Sequence, residues 1–521
     1  MSFLNDNISQ KKIVLGSDFL TLEDLIKISR NYEKVDIFPE SIKRVDAARK
    51  CVEERLQSGG TFYGINTGFG ALANVKIPNE KLDELQINLI RSHACGVGEP
   101  LAEDIVRATL VLRIMNILKG NSGARKETVF IMQQFLNYGI TPYVPSKGSV
   151  GASGDLAPLS HIALNLIGEG KVYYKGNLVL AREVLEHVKI EPLKPMAKEG
   201  LCLINGTQVM TAIGLLCSYD AHNLLKTADI AAAISLDAVK GTLTSFRPEI
   251  QNVRPYLGQK IVAKNISEIL ADDGIRLSHM HCDKVQDSYS FRCVPQVHGA
   301  ARNAFVHVLE TFMLEAHAST DNPLVFPETN EILSGGNFHG EPVALALDYF
   351  AMAMAEIGNI SERRLEKLVN AHMSGLPPFL TLDSGLCSGY MIPHVVAAAL
   401  VNENKVLCTP ASVDSIATSA EKEDHVSMGM TSANKLRIIL KNVSFILSLE
   451  LLAGVEGVEF HLPLEPGAGA RAAVEWTRNS VPAVKNADRS LSEEIEAVAS
   501  KLLRGELVHF VNQSLSGYTL Q

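Results

Sequence analysis

The chain has 521 residues, 46% hydrophobic and 21% charged, and its 49 basic and 58 acidic residues leave a formal charge of -9. That length exceeds the roughly 250–300 residues over which one hydrophobic core keeps growing, so two or more structural regions are expected. A net negative chain without a Lys/Arg cluster excludes a nucleic-acid-binding face. The eight scattered cysteines contain no C-x-x-C pair and read as reduced thiols rather than a disulfide framework. Met1-Ser2-Phe3-Leu4-Asn5-Asp6 lacks the basic-then-apolar order of a signal peptide, and Asp220 and Asn402-Glu403 interrupt the apolar windows. A cytoplasmic protein without membrane contact is expected.

In chain order, the first clear element is residues 101–119, apolar on one face and followed by Gly120, a suitable helix stop. Residues 171–180 place Val172-Tyr173-Tyr174 and Leu178-Val179-Leu180 on either side of Lys175-Gly176-Asn177, which predicts a β-hairpin. Beyond residue 205, three stretches (207–240, 297–318 and 341–372) predict unusually long helices. Near the end, Ile495, Val498, Ala499, Leu502 and Leu503 follow the spacing of one helical face. No strand–helix alternation and no internal repeat occurs, so the fold is expected to be mainly α. Residues 1–205 read as a loop-rich N-terminal domain and 206–521 as a long-helix bundle.

The glycine-rich stretch Gly148-Ser149-Val150-Gly151-Ala152-Ser153-Gly154-Asp155 matches none of the common glycine motifs. No Gly-Lys-Ser/Thr follows, which excludes a P-loop. Asp155 stands where a G-x-S-x-G elbow needs glycine. Two prolines break 141–145, the place of the strand that a dinucleotide fingerprint requires. In His279-Met280-His281-Cys282-Asp283 the two histidines sit one residue apart and point away from each other, so loop packing is expected and no metal site.

Ala-Ser-Gly alone is weak, expected in on the order of one in five chains this long. Its company is specific. With Gly148–His161 stand Tyr63-Gly-Ile-Asn-Thr-Gly-Phe-Gly70, Asn205-Gly206-Thr207, Gln286-Asp-Ser-Tyr289-Ser-Phe-Arg292, Asp321-Asn-Pro323, Gly336-Asn-Phe338-His and Glu423-Asp-His-Val-Ser-Met428. Together, from about residue 10 to the C-terminus, these resemble the aromatic amino acid ammonia-lyase and aminomutase family. The resemblance implies a homotetramer whose active sites each collect residues from three subunits. It also implies that Ala152-Ser153-Gly154 cyclises to a 4-methylidene-imidazol-5-one, with no external cofactor. The Gly154 nitrogen attacks the Ala152 carbonyl carbon and two waters leave, one carrying the Ser153 oxygen. Gly154 has no Cβ to obstruct that approach, Ala152 adds little bulk, and Ser153 supplies the oxygen to be eliminated.

By the same resemblance Tyr63 is a candidate base, and Asn205 and Tyr289 stand beside the electrophile. Arg292 would pair with the substrate carboxylate through its planar fork; Gln286 would steady that side, and Phe338 would wall the pocket. Ser92-His93 occupies the position where relatives acting on tyrosine resemble His-Leu and those acting on phenylalanine resemble Phe-Leu. Glu423 stands where those relatives usually carry Gln. A buried carboxylate facing a phenyl ring lacks a partner, whereas an imidazole offers it an N–H, with His93 serving the other ring nitrogen. The pair favours L-histidine as substrate and urocanate as product. A tyrosine or phenylalanine lyase, or an aminomutase, is the alternative within the family; an inactive helical scaffold is a remoter one. Whether Tyr63 or Glu423 takes the proton stays open at this level.

Overall fold

The computed structural model describes residues 12–17, 19–280, 284–485 and 487–521. Among them are twenty-one α-helices, and the strands form four small sheets of two or three strands each. The mainly helical expectation holds. Residues 101–119 form the helix Glu103–Leu118, and the long stretches become Gln208–Ala238, Val294–Ala316 and Glu341–Val369. The predicted hairpin pairs Lys171–Tyr174 with Asn177–Leu180 in antiparallel register. A further long helix, Gly429–Glu459, escapes the periodicity argument. Its most apolar window is 83% buried, and Ser444, Ser448 and Glu450 lie buried among the apolar residues of the helix, so polarity does not mark its exposed side.

The chain divides into two compact units. One comprises Met1–Leu216, Glu310–Leu347 and Pro410–Asn434, the other Cys217–Leu309, Asp348–Thr409 and Lys435–Gln521. The core of the first unit contains Glu103–Leu118, buried from Ile105 to Leu118. Two arginines lie inside that helix. Arg107 donates to the Ile28, Ser29 and Leu136 carbonyls, at 2.8, 3.2 and 3.3 Å. These carbonyls lie at the C-terminal ends of Leu22–Arg30 and Lys126–Tyr138, where unpaired acceptors and partial negative charge collect. Burial pulls the Arg107 pKa down to about 10, which leaves the guanidinium charged at neutral pH. One cation thus satisfies two helix ends.

In the second unit, Glu450 pairs with Arg364 at 2.5 Å, both fully buried, and accepts the hydroxyls of Ser235 and Ser361. Asp229 accepts from His298, Arg302 and Asn265 at 2.8, 2.6 and 2.8 Å. A buried carboxylate is tolerated when its lone pairs are filled in this way. Glu341–Val369 and Gly429–Glu459 are long and apolar enough to cross a membrane, but 61% and 83% of their most apolar windows are buried within the protein. Core helices show the same pattern.

Candidate active site

The loop 148–155 is tied down by its own polar groups. Asp155 is fully buried, and its Oδ2 accepts from the Val209 and Met210 amides at 2.9 and 3.0 Å, capping the long helix that starts at Gln208. Its own amide donates to the Gly206 carbonyl at 2.7 Å. Ser149 Oγ donates to the Gly154 carbonyl and to Asp155 Oδ1, both at 3.3 Å. Burial, reinforced by Glu315, pushes the Asp155 pKa up to about 7 despite these donors.

Gly154 lies between this anchor and the 206 turn, at φ +70°, where a Cβ would stand 2.1 Å from the Gly206 carbonyl oxygen. Only glycine fits there. Asn205 Nδ2 donates to the Ser153 carbonyl at 2.9 Å, whereas Asn205 Oδ1 is buried without a partner among the described residues. Asn205 is itself placed by Arg113, which donates to its carbonyl at 2.7 Å and to Gln208 Oε1 at 2.6 Å. These features fit a ring built from residues 152–154. The glycine cradle admits a close approach of backbone to backbone, and the carbonyl that the ring would keep already has a donor.

A cavity of about 720 Å³ opens over Ser153, and Tyr63, His93, Asn205, Phe338 and Glu423 line it. Its size suits a small ligand. Ser153 Oγ donates to Glu423 Oε1 at 2.8 Å. His93 Nδ1 lies 2.9 Å from the Leu89 carbonyl and 3.0 Å from Ser92 Oγ, which itself donates to that carbonyl at 3.0 Å; a carbonyl only accepts, so these partners assign the ring proton to Nδ1 and the free lone pair to Nε2. Burial holds the His93 pKa below the ordinary imidazole value, against the pull of Leu89 and Glu423. The Gly70 amide donates to the Tyr63 phenol oxygen at 3.3 Å.

The family model for aromatic amino acid lyase matches residues 20–479. The chain belongs to that family. A histidine ammonia-lyase of Myxococcus xanthus is 48% identical over 508 residues, covering 97% of this chain and 100% of that protein. The crystal structure of a histidine ammonia-lyase from Trypanosoma cruzi superposes with a TM-score of 0.90 at 40% identity, covering 97% of this chain and 96% of that one. A tyrosine aminomutase from Streptomyces globisporus gives 0.93 at 36% identity, covering 98% and 100%. Within the lyase family, then, the backbone alone does not select a substrate, and the side chains that line the cavity must.

Of the expected site residues, Ala152, Ser153, Gly154, Tyr63, His93, Asn205, Phe338 and Glu423 all belong to the first unit. Gln286, Tyr289 and Arg292 belong to the second and do not line this cavity. Tyr289 is 71% exposed, with the Arg292 guanidinium 4.6 Å over its ring, and Arg292 Nε is buried without a partner among the described residues. His281, Cys282 and Asp283 lie outside the described residues; His279 Nδ1 bonds to the Ile275 carbonyl. Sequence reading assigned no role to Asp155, Ser149, Arg113 or Thr418. The first two stand in the quoted motif and were within reach. Arg113 sits in an apolar helix, with nothing local to mark it.

Proposed function

We propose that this protein eliminates ammonia from L-histidine to give urocanate, using a methylidene-imidazolone made from Ala152, Ser153 and Gly154. The observation that carries the substrate is the pair of acceptors in one cavity, the Glu423 carboxylate and the unprotonated Nε2 of His93. Two acceptors suit an imidazolium ring, which carries N–H on both nitrogens and which the Glu423 carboxylate favours, and a phenyl or phenol ring leaves at least one of them unpaired. The relatives named histidine ammonia-lyase support the same choice.

Once formed from residues 152–154, the ring would supply an electron-poor alkene, the chemistry by which an amine becomes a better leaving group. Asn205 Nδ2 polarises that group through the carbonyl it already holds, and its unpartnered Oδ1 accepts from the substrate amine. With Glu423 engaged by the ring, Tyr63 is assigned the proton from the carbon next to the nitrogen-bearing one. Because Gly70 donates to its oxygen, the Tyr63 hydroxyl hydrogen is directed away from that amide. Arg292 takes the substrate carboxylate, steadied by Gln286, and Tyr289 stands beside the amine. These three come from a neighbouring copy in a homotetramer. The helix Met391–Leu407 favours assembly: of its seventeen residues only Ala397 and Asn404 are buried, and Ile392, Val395 and Val406 are exposed. The cytoplasm is the compartment we assign.

The deciding experiment follows absorbance in the urocanate band after adding L-histidine to purified protein, with L-tyrosine and L-phenylalanine in parallel. A rise with histidine alone is expected. Cinnamate or coumarate from the other two, without urocanate, would overturn the substrate assignment and keep the mechanism.

A further inference from the structure

Glu423 is held by a residue that does not line the cavity. Thr418 Oγ1 donates to Glu423 Oε2 at 2.7 Å. The backbones of the same two residues bond in both directions, Thr418 N to Glu423 O at 2.9 Å and Glu423 N to Thr418 O at 3.3 Å. The turn they close places Ser419, Ala420 and Glu421 at φ 52°, 52° and 67°, a region that residues with a Cβ avoid. Such a run persists only where its surroundings over-determine it.

Two hydroxyls therefore fill the carboxylate, Ser153 on Oε1 and Thr418 on Oε2. Their fates differ. Cyclisation removes the Ser153 oxygen as water, which frees Oε1, and leaves the Thr418 bond intact. We propose that Thr418 is the positioning residue of Glu423: it fixes Oε2 so that Oε1, vacated by maturation, faces the ring nitrogen of the substrate. The terminal torsion of a glutamate is broad and two-fold, so without this hydroxyl the carboxylate has no preferred oxygen to offer. The proposal rests on the reading of Glu423 as the ring partner.

The test is a double-mutant cycle on the full-length protein. Thr418→Val keeps the shape and removes the hydroxyl; Thr418→Ser keeps the hydroxyl. Each is combined with Glu423 or Glu423→Gln, with kcat and KM for L-histidine measured and the electrophile titrated by borohydride. Thr418→Val is expected to lower kcat/KM about ten- to a hundredfold with Glu423 present, the worth of a hydrogen bond to a charged group. Thr418→Ser should stay within about twofold of the parent, and in the Glu423→Gln background Thr418→Val should change kcat/KM by no more than that. The titrated electrophile should be the same throughout. Equal losses from Thr418→Val in both backgrounds, or a Thr418→Ser as impaired as Thr418→Val, would overturn the proposal. So would a fully active Thr418→Val. Should Thr418→Val not fold, Thr418→Ala replaces it in the same cycle. A Glu423→Gln single variant with parental turnover would instead remove the reading of Glu423 itself, a result recognisable without any change at position 418.

Discussion

The Ser153 hydroxyl donates to Glu423 Oε1 at 2.8 Å, although 270 positions of chain separate the two residues. The oxygen that the proposed cyclisation would eliminate and the carboxylate proposed to select the substrate ring therefore meet over one cavity. Replacing Glu423 by Gln removes the charge and turns one acceptor oxygen into a donor. Glu423→Gln is expected to lower kcat/KM for L-histidine by at least about tenfold and to narrow its advantage over L-phenylalanine. Parallel kinetics with both substrates check this, and undiminished preference for histidine would count against the ring assignment.

Gly154→Ala tests the cradle. The position combines φ +70° with a Cβ that would stand 2.1 Å from the Gly206 oxygen. The backbone penalty alone is roughly 1–2 kcal/mol, and the carbonyl it strikes belongs to the turn before the helix Gln208–Ala238. The variant should melt lower than the parent and show no borohydride-sensitive absorbance. Ser153→Ala is the control: Ser153 is only half-buried, so the melting temperature should hold while the electrophile and turnover are lost.

Much of this was legible in the sequence, for a definite physical reason. Ala152-Ser153-Gly154 and Asn205-Gly206 each stand in a short motif that can be read locally, but their contact, Gly154 against the Gly206 carbonyl and Asn205 Nδ2 on the Ser153 carbonyl, joins positions about fifty apart and is visible only in the fold. Tyr63, His93 and Glu423 were found because each lies in its own local pattern, though only the fold brings them around one cavity. Thr418 was not legible, because its partner Glu423 is reached through a turn of three left-handed non-glycine residues that no propensity suggests. Arg113 reads as a misplaced charge in an apolar helix until the Asn205 carbonyl is seen beside it. The helix Gly429–Glu459 is hard to read from sequence because Ser444, Ser448, Glu450 and Glu456 are buried among its apolar residues and interrupt the apolar stripe.

Asp155 gives the fold a pH dependence of unusual sign. Its pKa is about 7 in the folded protein against 3.8 ordinarily. Between those values the folded state holds a proton that the unfolded chain has released. The stabilisation is complete below about pH 4 and is lost as pH rises through about 7. Asp155→Asn keeps an acceptor for the Val209 and Met210 amides and removes the titration. The parent's melting temperature should fall between pH 6 and pH 8, and that of Asp155→Asn should fall less. Parallel slopes would show that Asp155 is already ionised at pH 6.

Gln286, Tyr289 and Arg292 yield the sharpest prediction about assembly. Tyr289 is largely exposed and, among the described residues, Arg292 Nε is buried without a partner, which fits groups that meet a ligand held partly by another chain. If each site takes its electrophile from one copy and its carboxylate clamp from a neighbour, two inactive variants can repair one another. Ser153→Ala lacks an electrophile in every copy, and Arg292→Ala lacks the clamp in every copy. Co-expressed, they should form mixed assemblies in which some sites combine the intact Arg292 of one chain with the intact Ser153 of the other. Urocanate formation should return to a fraction of the parent rate in the mixture and be absent from either variant alone. Sites made wholly within one chain would leave the mixture as inactive as its parts, and soluble monomers with full turnover would rule out shared sites directly.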